Sequence, residues 1–407
     1  MVRLREVASF TRKPRGLHLP LNIPFIPMEL VPQGHVYINS YEFRDEVSSG
    51  TYCEKGDFLL PKITPSFENG KQGIIGEIPG RFAYATTEVI PIKASSSLDR
   101  LYLFYYFLQH PVRADLAGKM EGTTGRQRIP KPVVSNMIIS LPPLPEQRAI
   151  AHVLSTVREA IEASERVIAA ACEIKRSLMK RMMIDDLDEI KSDPLEDAVE
   201  IFTGGTPSTK VAEYWDGDIE WVTAKDVSNT SGPFIKRTER SITEAGLQNS
   251  PAKILPPYTT ILIARGATMG SAKMIERPMA INQTCYGLSV TKGNDPVFLY
   301  YALSILKDEM LSISYGSIFT TVTRGVLGQL PLKFPSTEKQ KSISETLLAI
   351  DRKILVEEDR KSALESLFNS LLHHLMTGII RVTTLIPGPS PWKGEGSSIP
   401  SPQGGEG

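Results

Sequence analysis

The sequence predicts an α+β protein: two β-rich mixed domains, each followed by one long helix, with the two helices packed on each other as a coiled coil. Three observations carry this prediction. The chain runs to 407 residues, too long for one ordinary core. A shift of 193 carries Gln147 onto Gln340, Ile150 onto Ile343, Leu154 onto Leu347, Ile161 onto Ile354 and Leu178 onto Leu371 without a gap. In both copies the apolar residues recur in steps of three and four, the stripe of an amphipathic helix.

The elements follow in chain order. The first domain, 1–141, opens on Leu4-Arg5-Glu6-Val7 and carries short β-favouring runs. A short helix is expected around Asp99–Leu108, and the strand-like run Ile138–Leu141 feeds the proline corner PPLPEQ. Prolines suit a helix start, because only the first turn tolerates them. The first long helix, 142–190, presents Ile150, Leu154, Val157, Ile161, Ile168, Ile174 and Leu178 on one stripe. The 37 residues that keep register, 147–183, span about 55 Å as a helix.

The second domain, 191–335, opens on Leu195-Glu196-Asp197-Ala198-Val199. Its Ile261–Arg265 resembles Phe58–Lys62, and its Phe298–Tyr301 resembles Leu103–Tyr106. Strands are expected at Thr260–Ala264 and Gly287–Thr291, with a helix around Asp295–Leu306. The second long helix, 336–382, carries Ile343, Leu347, Ile350, Ile354, Leu364, Leu367 and Leu371, with Ser336 or Thr337 as its cap. Glu357 and Lys361 fall on this stripe, in register with Ser164 and Ile168, so the seam is polar at its middle. Residues 383–407, rich in Gly, Pro and Ser, are expected to be a disordered tail.

Composition excludes several classes. No apolar run reaches about 18 residues, so no membrane span is expected. The first residues lack the apolar core of a signal peptide, and Cys53, Cys172 and Cys285 show no CxxC spacing. Both features point to the cytoplasm and away from disulfides or zinc. Net charge is zero. Residues 1–141 carry 17 Lys and Arg against 13 Asp and Glu, and residues 193–335 carry 13 against 15. Charge alone therefore does not announce a nucleic-acid binder.

No catalytic constellation stands out. Leu255-Pro256-Pro257-Tyr258 has the PPY of amino-methyltransferases, but Leu255 cannot accept from a target amine. A proline-shaped turn before a strand fits better. Gly204–Lys210 lacks P-loop spacing, and Gly70, Gly73 and Gly76 do not form GxGxxG. His373-His374 has no carboxylate at ligand spacing.

Other motifs carry more information. They are Thr203-Gly204-Gly205-Thr206-Pro207-Ser208, then Glu213–Val227 (EYWDGDIEWVTAKDV), Ala264–Gly270 (ARGATMG), Ala280-Ile281-Asn282-Gln283, and Leu141–Arg148 (LPPLPEQR). Together they resemble the specificity subunits of type I restriction–modification systems. The resemblance runs to about residue 380 and is stronger in the second half. The first half lacks GGTP and INQ, with Ala85-Thr86-Thr87-Glu88-Val89 in place of the latter, and the second helix begins STEKQ.

The resemblance implies two target recognition domains that each read half of a split DNA sequence. It implies long helices that pack antiparallel with pseudo-twofold symmetry. These would space the domains and dock two modification methyltransferase subunits, joined by restriction/translocase subunits. Catalysis, with S-adenosylmethionine, ATP and Mg²⁺, would belong to those partners, and this chain would bind no cofactor.

Base reading needs paired donors or acceptors on loops that reach a groove. The candidates are Lys62, Thr86, Arg126 and Arg128 in the first domain, and Thr223, Lys225, Arg265, Asn282, Gln283 and Arg324 in the second. Gly122–Arg128 and Gly316–Arg324 are expected to be equivalent polar loops before the closing strand. Solvated loop chemistry is the alternative for each residue. Tyr214, Trp215 and Trp221 are better read as packed than as stacked on bases. Two rival functions are a coiled-coil adaptor without DNA contact and a divergent stand-alone DNA methyltransferase or nuclease.

Overall fold

A computed structural model describes residues 1–17, 21–123, 125–307 and 321–382. The proposed tail and most of Gly316–Arg324 lie outside them. The chain divides into two compact units, Met1–Ile161 with Ala363–Gly407, and Glu162–Ser362.

In the first unit a two-stranded ribbon pairs β1 (Val2–Arg3) with the closing strand Ile138–Ile139. The main sheet joins β2 (Ala8–Phe10), Val89–Ala94, Phe58–Pro61, Gly73–Ile75 and Tyr37–Ile38, in that order. A second sheet runs Glu42–Arg44, Ile23–Ile26, Phe82–Ala85, Thr51–Glu54. The second unit repeats this plan strand for strand. Its ribbon pairs Asp193–Pro194 with Pro331–Leu332. Its main sheet runs Val199–Thr203, Cys285–Val290, Thr260–Ile263, Ala272–Ile275, Phe234–Ile235. Its second sheet runs Ser241–Ile242, Trp215–Val222, Met279–Ile281, Ile254–Leu255. Even the parallel pairs coincide: Ile23–Ile26 with Phe82–Ala85, and Trp215–Val222 with Met279–Ile281.

One short helix covers each main sheet. Asp99 caps Arg100–Tyr106 through the Leu101 and Tyr102 amides, and Asp295 caps Pro296–Ile305 through Phe298. An N-cap carboxylate satisfies amides that have no partner within the helix. These helices bury Phe104 and Tyr105, or Phe298 and Tyr301, against the sheet.

The long helices are Leu144–Met183 and Thr337–Thr377. Ser336 caps the second through the Lys339 amide. Each begins with a buried glutamine that ties it to the short helix of its own domain. Gln147 accepts from the Asp99 amide at 2.8 Å and donates to Ser97 O and Pro142 O. Gln340 accepts from the Asp295 amide at 2.8 Å and donates to Asn294 Oδ1 and Pro335 O.

The helices pack on each other antiparallel. In the first unit Ile150, Leu154 and Ile161 share a core with Phe368, Leu372, Leu375 and Met376, with Val157 and Leu371 at its edge. In the second unit the partners are Ser164 with Glu357, Glu165 with Lys361, and Lys175 with Asp351. Ile343 and Leu347 are buried, Leu178 packs at the core's edge, and Ile350 and Ile354 are half-buried. Ser164 and Glu357 are both buried, 3.1 Å apart, so the polar middle of the seam is a hydrogen bond between equivalent positions of the two copies.

Two stripe residues depart from expectation. Ile174 is 54% exposed, with Lys175 turned inward to Asp351, and Leu367 is 47% exposed, with Phe368 buried in its place. A helix of 3.6 residues per turn drifts from a fixed spacing over several turns, which moves the buried position by one residue.

Candidate nucleic-acid interface

In the first domain, three predicted residues meet where Phe58–Pro61 and Phe82–Ala85 end and Val89–Ala94 begins. Thr86 continues the second of these, its amide bonded to Ile26 O. Its Oγ1 accepts from the Glu88 amide at 3.3 Å, which closes the turn. Lys62 continues the first, its amide on Glu88 O and its carbonyl receiving Ile129 N–H. Arg128 ends the hairpin Glu121–Thr123 with Arg126–Arg128, and its Nε and Nη2 donate to the two Glu88 oxygens at 2.9 and 2.8 Å. Arg128 holds the Glu88 carboxyl below the usual carboxylate range. Burial pulls the Lys62 amine down against the pull of Glu88, and Lys131 and Arg128 add to the lowering. Arg126 lies two residues from Arg128 on the same strand and is exposed, so its side chain points to the same face. Thr124 lies outside the described residues.

In the second domain the corresponding place is built from Val222–Thr223, Ile281–Thr284 and Ala264–Arg265. The Asn282 amide bonds Val222 O, and Asn282 Oδ1 accepts from the Thr284 amide and hydroxyl at 3.1 and 2.8 Å. Gln283 is exposed and receives the Thr206 hydroxyl. That contact explains the GGTP loop. A Cβ on Gly204 would strike the Ile281 and Asn282 carbonyls, and one on Gly205 would strike Pro251 and Ala252. Two glycines let the loop lie against the strand end, and Trp221 Nε1 donates to Gly205 O at 2.9 Å to hold it. Arg265 is exposed and pairs its backbone with Thr321.

The remaining candidates sit in other local settings. Thr223 caps the helix Ala224–Asn229 in a reciprocal capping box with Asp226, so its hydroxyl is engaged locally. Lys225 pairs with Glu239 at 2.6 Å on the surface. Arg126–Arg128 is a strand of a hairpin, not a loop. Arg324 is the first residue of the helix Arg324–Gly328, capped by Thr323, and this helix separates it from the closing strand.

Backbone pairing also corrects the register between the halves. Lys62 O receives Ile129 N–H as Ala264 O receives Val322 N–H, so Lys62 corresponds to Ala264 and Ile63 to Arg265. Arg128, bridged to Ile63, corresponds to Thr321, bridged to Arg265. Arg324 then corresponds to Lys131, the first residue of the helix Lys131–Asn136. Thr86 and Asn282 are equivalent, and Glu88 is matched by Thr284. Sequence reasoning missed Glu88 and Lys131. The Glu88–Arg128 pair joins residues 40 apart, and no local signal links them.

The aromatic residues pack. Trp215 and Trp221 are buried edge to face at 5.1 Å with Arg240 over Trp215, and Tyr214 is half-buried beside them. Pro256-Pro257-Tyr258 is a turn before Thr260–Ile263, with Thr259 N–H on Pro256 O. Among the described residues no cluster of His, Cys, Asp and Glu could hold a metal, and no helix is long and apolar enough to cross a membrane.

Both halves thus present polar side chains from equivalent strand ends on one repeated frame. The model of the type I restriction modification DNA specificity domain matches residues 2–171 and 188–366. The MjaIX specificity subunit of Methanocaldococcus jannaschii is 33% identical over 169 residues, covering 41% of this chain and only 38% of that subunit. The MjaVIII specificity subunit of the same organism is 25% identical over 341 residues, covering 78% of this chain and 76% of that one. The crystal structure of a type I restriction-modification S subunit from M. genitalium covers 92% of this chain and 95% of its own, with a TM-score of 0.62 at 13% identity. The last likeness concerns fold alone. The chain belongs to the family of type I restriction–modification DNA specificity domains, with two copies of the domain. It is a specificity subunit, a DNA-recognition component.

Proposed function

We propose that this chain recognises a bipartite DNA target, one half read by each domain, and docks two modification methyltransferase subunits through its paired helices. The observation that carries this reading is the correspondence of the two strand-end sites. The frame is the same, yet Lys62, Thr86, Glu88 and Arg128 stand where the second domain has Ala264, Asn282, Thr284 and Thr321. Identical frames with different side chains suit two half-sites of different sequence.

Lys62, Arg126, Arg128 and Lys131 would meet one half, and Arg265, Asn282, Gln283 and Arg324 the other. Arginine suits guanine, and Asn or Gln suits adenine. Thr223 and Lys225 lie beside the second site, as a cap and a surface ion pair. Restriction/translocase subunits would join the same core. S-adenosylmethionine, ATP and Mg²⁺ would bind the partners, in the cytoplasm.

Long-read detection of methylated adenines, in a host carrying this gene with its modification partner and in one lacking it, tests the reading. A gene-dependent motif of two fixed parts around a spacer supports it. A gene-dependent but uninterrupted motif, or none at all, counts against it.

A further inference from the structure

We propose that Glu88 is a positioning residue that fixes the Arg128 guanidinium so that its outer edge reads a guanine in the half-site of the first domain. The inference rests on the proposed function, and it goes beyond it in naming a base and the residue that aims the reader.

A guanidinium has five N–H donors in a planar fork. Glu88 takes those of one side, Nε and Nη2, in two parallel bonds of 2.9 and 2.8 Å. The end-on pair, one hydrogen on Nη1 and the second on Nη2, faces away from Glu88. Guanine offers the matching acceptors, N7 and O6, in the major groove. An arginine held in advance loses less side-chain freedom on binding than a free one.

Glu88 is itself fixed. Its amide is bonded to Thr86 Oγ1, its carbonyl receives Lys62 N–H, and its side chain is 23% exposed against 46% for Arg128. The carboxylate does not spoil the site for DNA. Arg128 and Lys62 both face it, and two cations outweigh one anion next to a phosphate backbone. In the second domain Thr284 and Thr321 take the two places, so this device belongs to one half of the protein only.

The test uses the full chain with its modification partner. Methylated sites are mapped for the natural sequence and for Glu88→Gln, Glu88→Asp, Arg128→Lys and the double variant Glu88→Gln/Arg128→Lys. Glu88→Gln should lower the preference for guanine at one position of one half-site about tenfold. Arg128→Lys should relax that same position, and the double variant should add little. Glu88→Asp should keep more of the preference, and the other half-site should stay unchanged in all four.

The proposal is overturned by an unchanged motif in Glu88→Gln, by relaxation at a position that Arg128→Lys leaves alone, or by equal loss of methylation at every site, which marks a folding role. If the natural sequence itself directs no two-part motif, the functional reading fails first and separately.

Discussion

Replacing Gln147 with alanine should loosen the first domain from its helix and leave the second untouched. The side chain is fully buried and makes three hydrogen bonds of 2.8, 3.0 and 2.9 Å, one accepted and two donated. Alanine keeps none of them and strands the Asp99 amide together with two carbonyls. A buried neutral hydrogen bond contributes about 0.5–1.5 kcal/mol net, and an orphaned buried group costs about 1–3 kcal/mol. Three bonds therefore amount to roughly 2–4 kcal/mol, less if water enters the gap. The Asp99 amide is also the start of the helix that buries Phe104 and Tyr105. Native-state hydrogen exchange should show lost protection along Arg100–Tyr106 and unchanged protection along Pro296–Ile305. Gln340→Ala should give the mirror result, because its amide makes an equivalent set of three bonds. A loss below about 0.5 kcal/mol at both positions, or one spread evenly over both domains, would refute the reasoning.

Further expectations concern chemistry, pH and binding. Cys172 is exposed, whereas burial pushes the Cys285 thiol up to about 12 and raises Cys53 too. Iodoacetamide should label one thiol per native chain and three after denaturation, and native labelling of all three would contradict the packing. Lys353 and Ser164 hold the Glu357 carboxyl below the usual carboxylate range. A depressed carboxyl stabilises the fold above its ordinary value, and that contribution is lost as pH falls through its folded value. Glu357→Gln should therefore flatten the acid side of the thermal-stability profile, and an unaltered profile would rule the contribution out. Arg265→Ala should weaken binding at one half-site by about 1–3 kcal/mol if it reads a base. A footprint unchanged by that substitution removes Arg265 from the interface.

The helices were the most legible part of the sequence, because a stripe repeated in two copies reports both their existence and their length. Several strand ends were legible as well. Thr86 and Asn282 each stand out within their own half, and the backbone pairing places them at one structural position. The register of the central strand was not legible. Phe58–Pro61 and Thr260–Ile263 are buried at every residue, so no polar–apolar alternation marks which residue faces which way. The likeness of the two runs in sequence therefore sets Lys62 against Arg265, one residue out of the observed register. The pattern Thr-Ala-Lys-Asp announces the capping box in which Thr223 is engaged. The contact of Glu88 with Arg128 depends on a hairpin folding back across 40 residues, a feature of tertiary structure alone.

If the long helices hold two readers at a set spacing, the length of those helices sets the gap between the half-sites. Inserting one helical turn, about 5.4 Å, after Met179 and mapping methylated adenines tests this directly. Both half-motifs should keep their sequence while the gap between them lengthens. Methylation at the original gap, with the insertion in place and the chain folded, would contradict it.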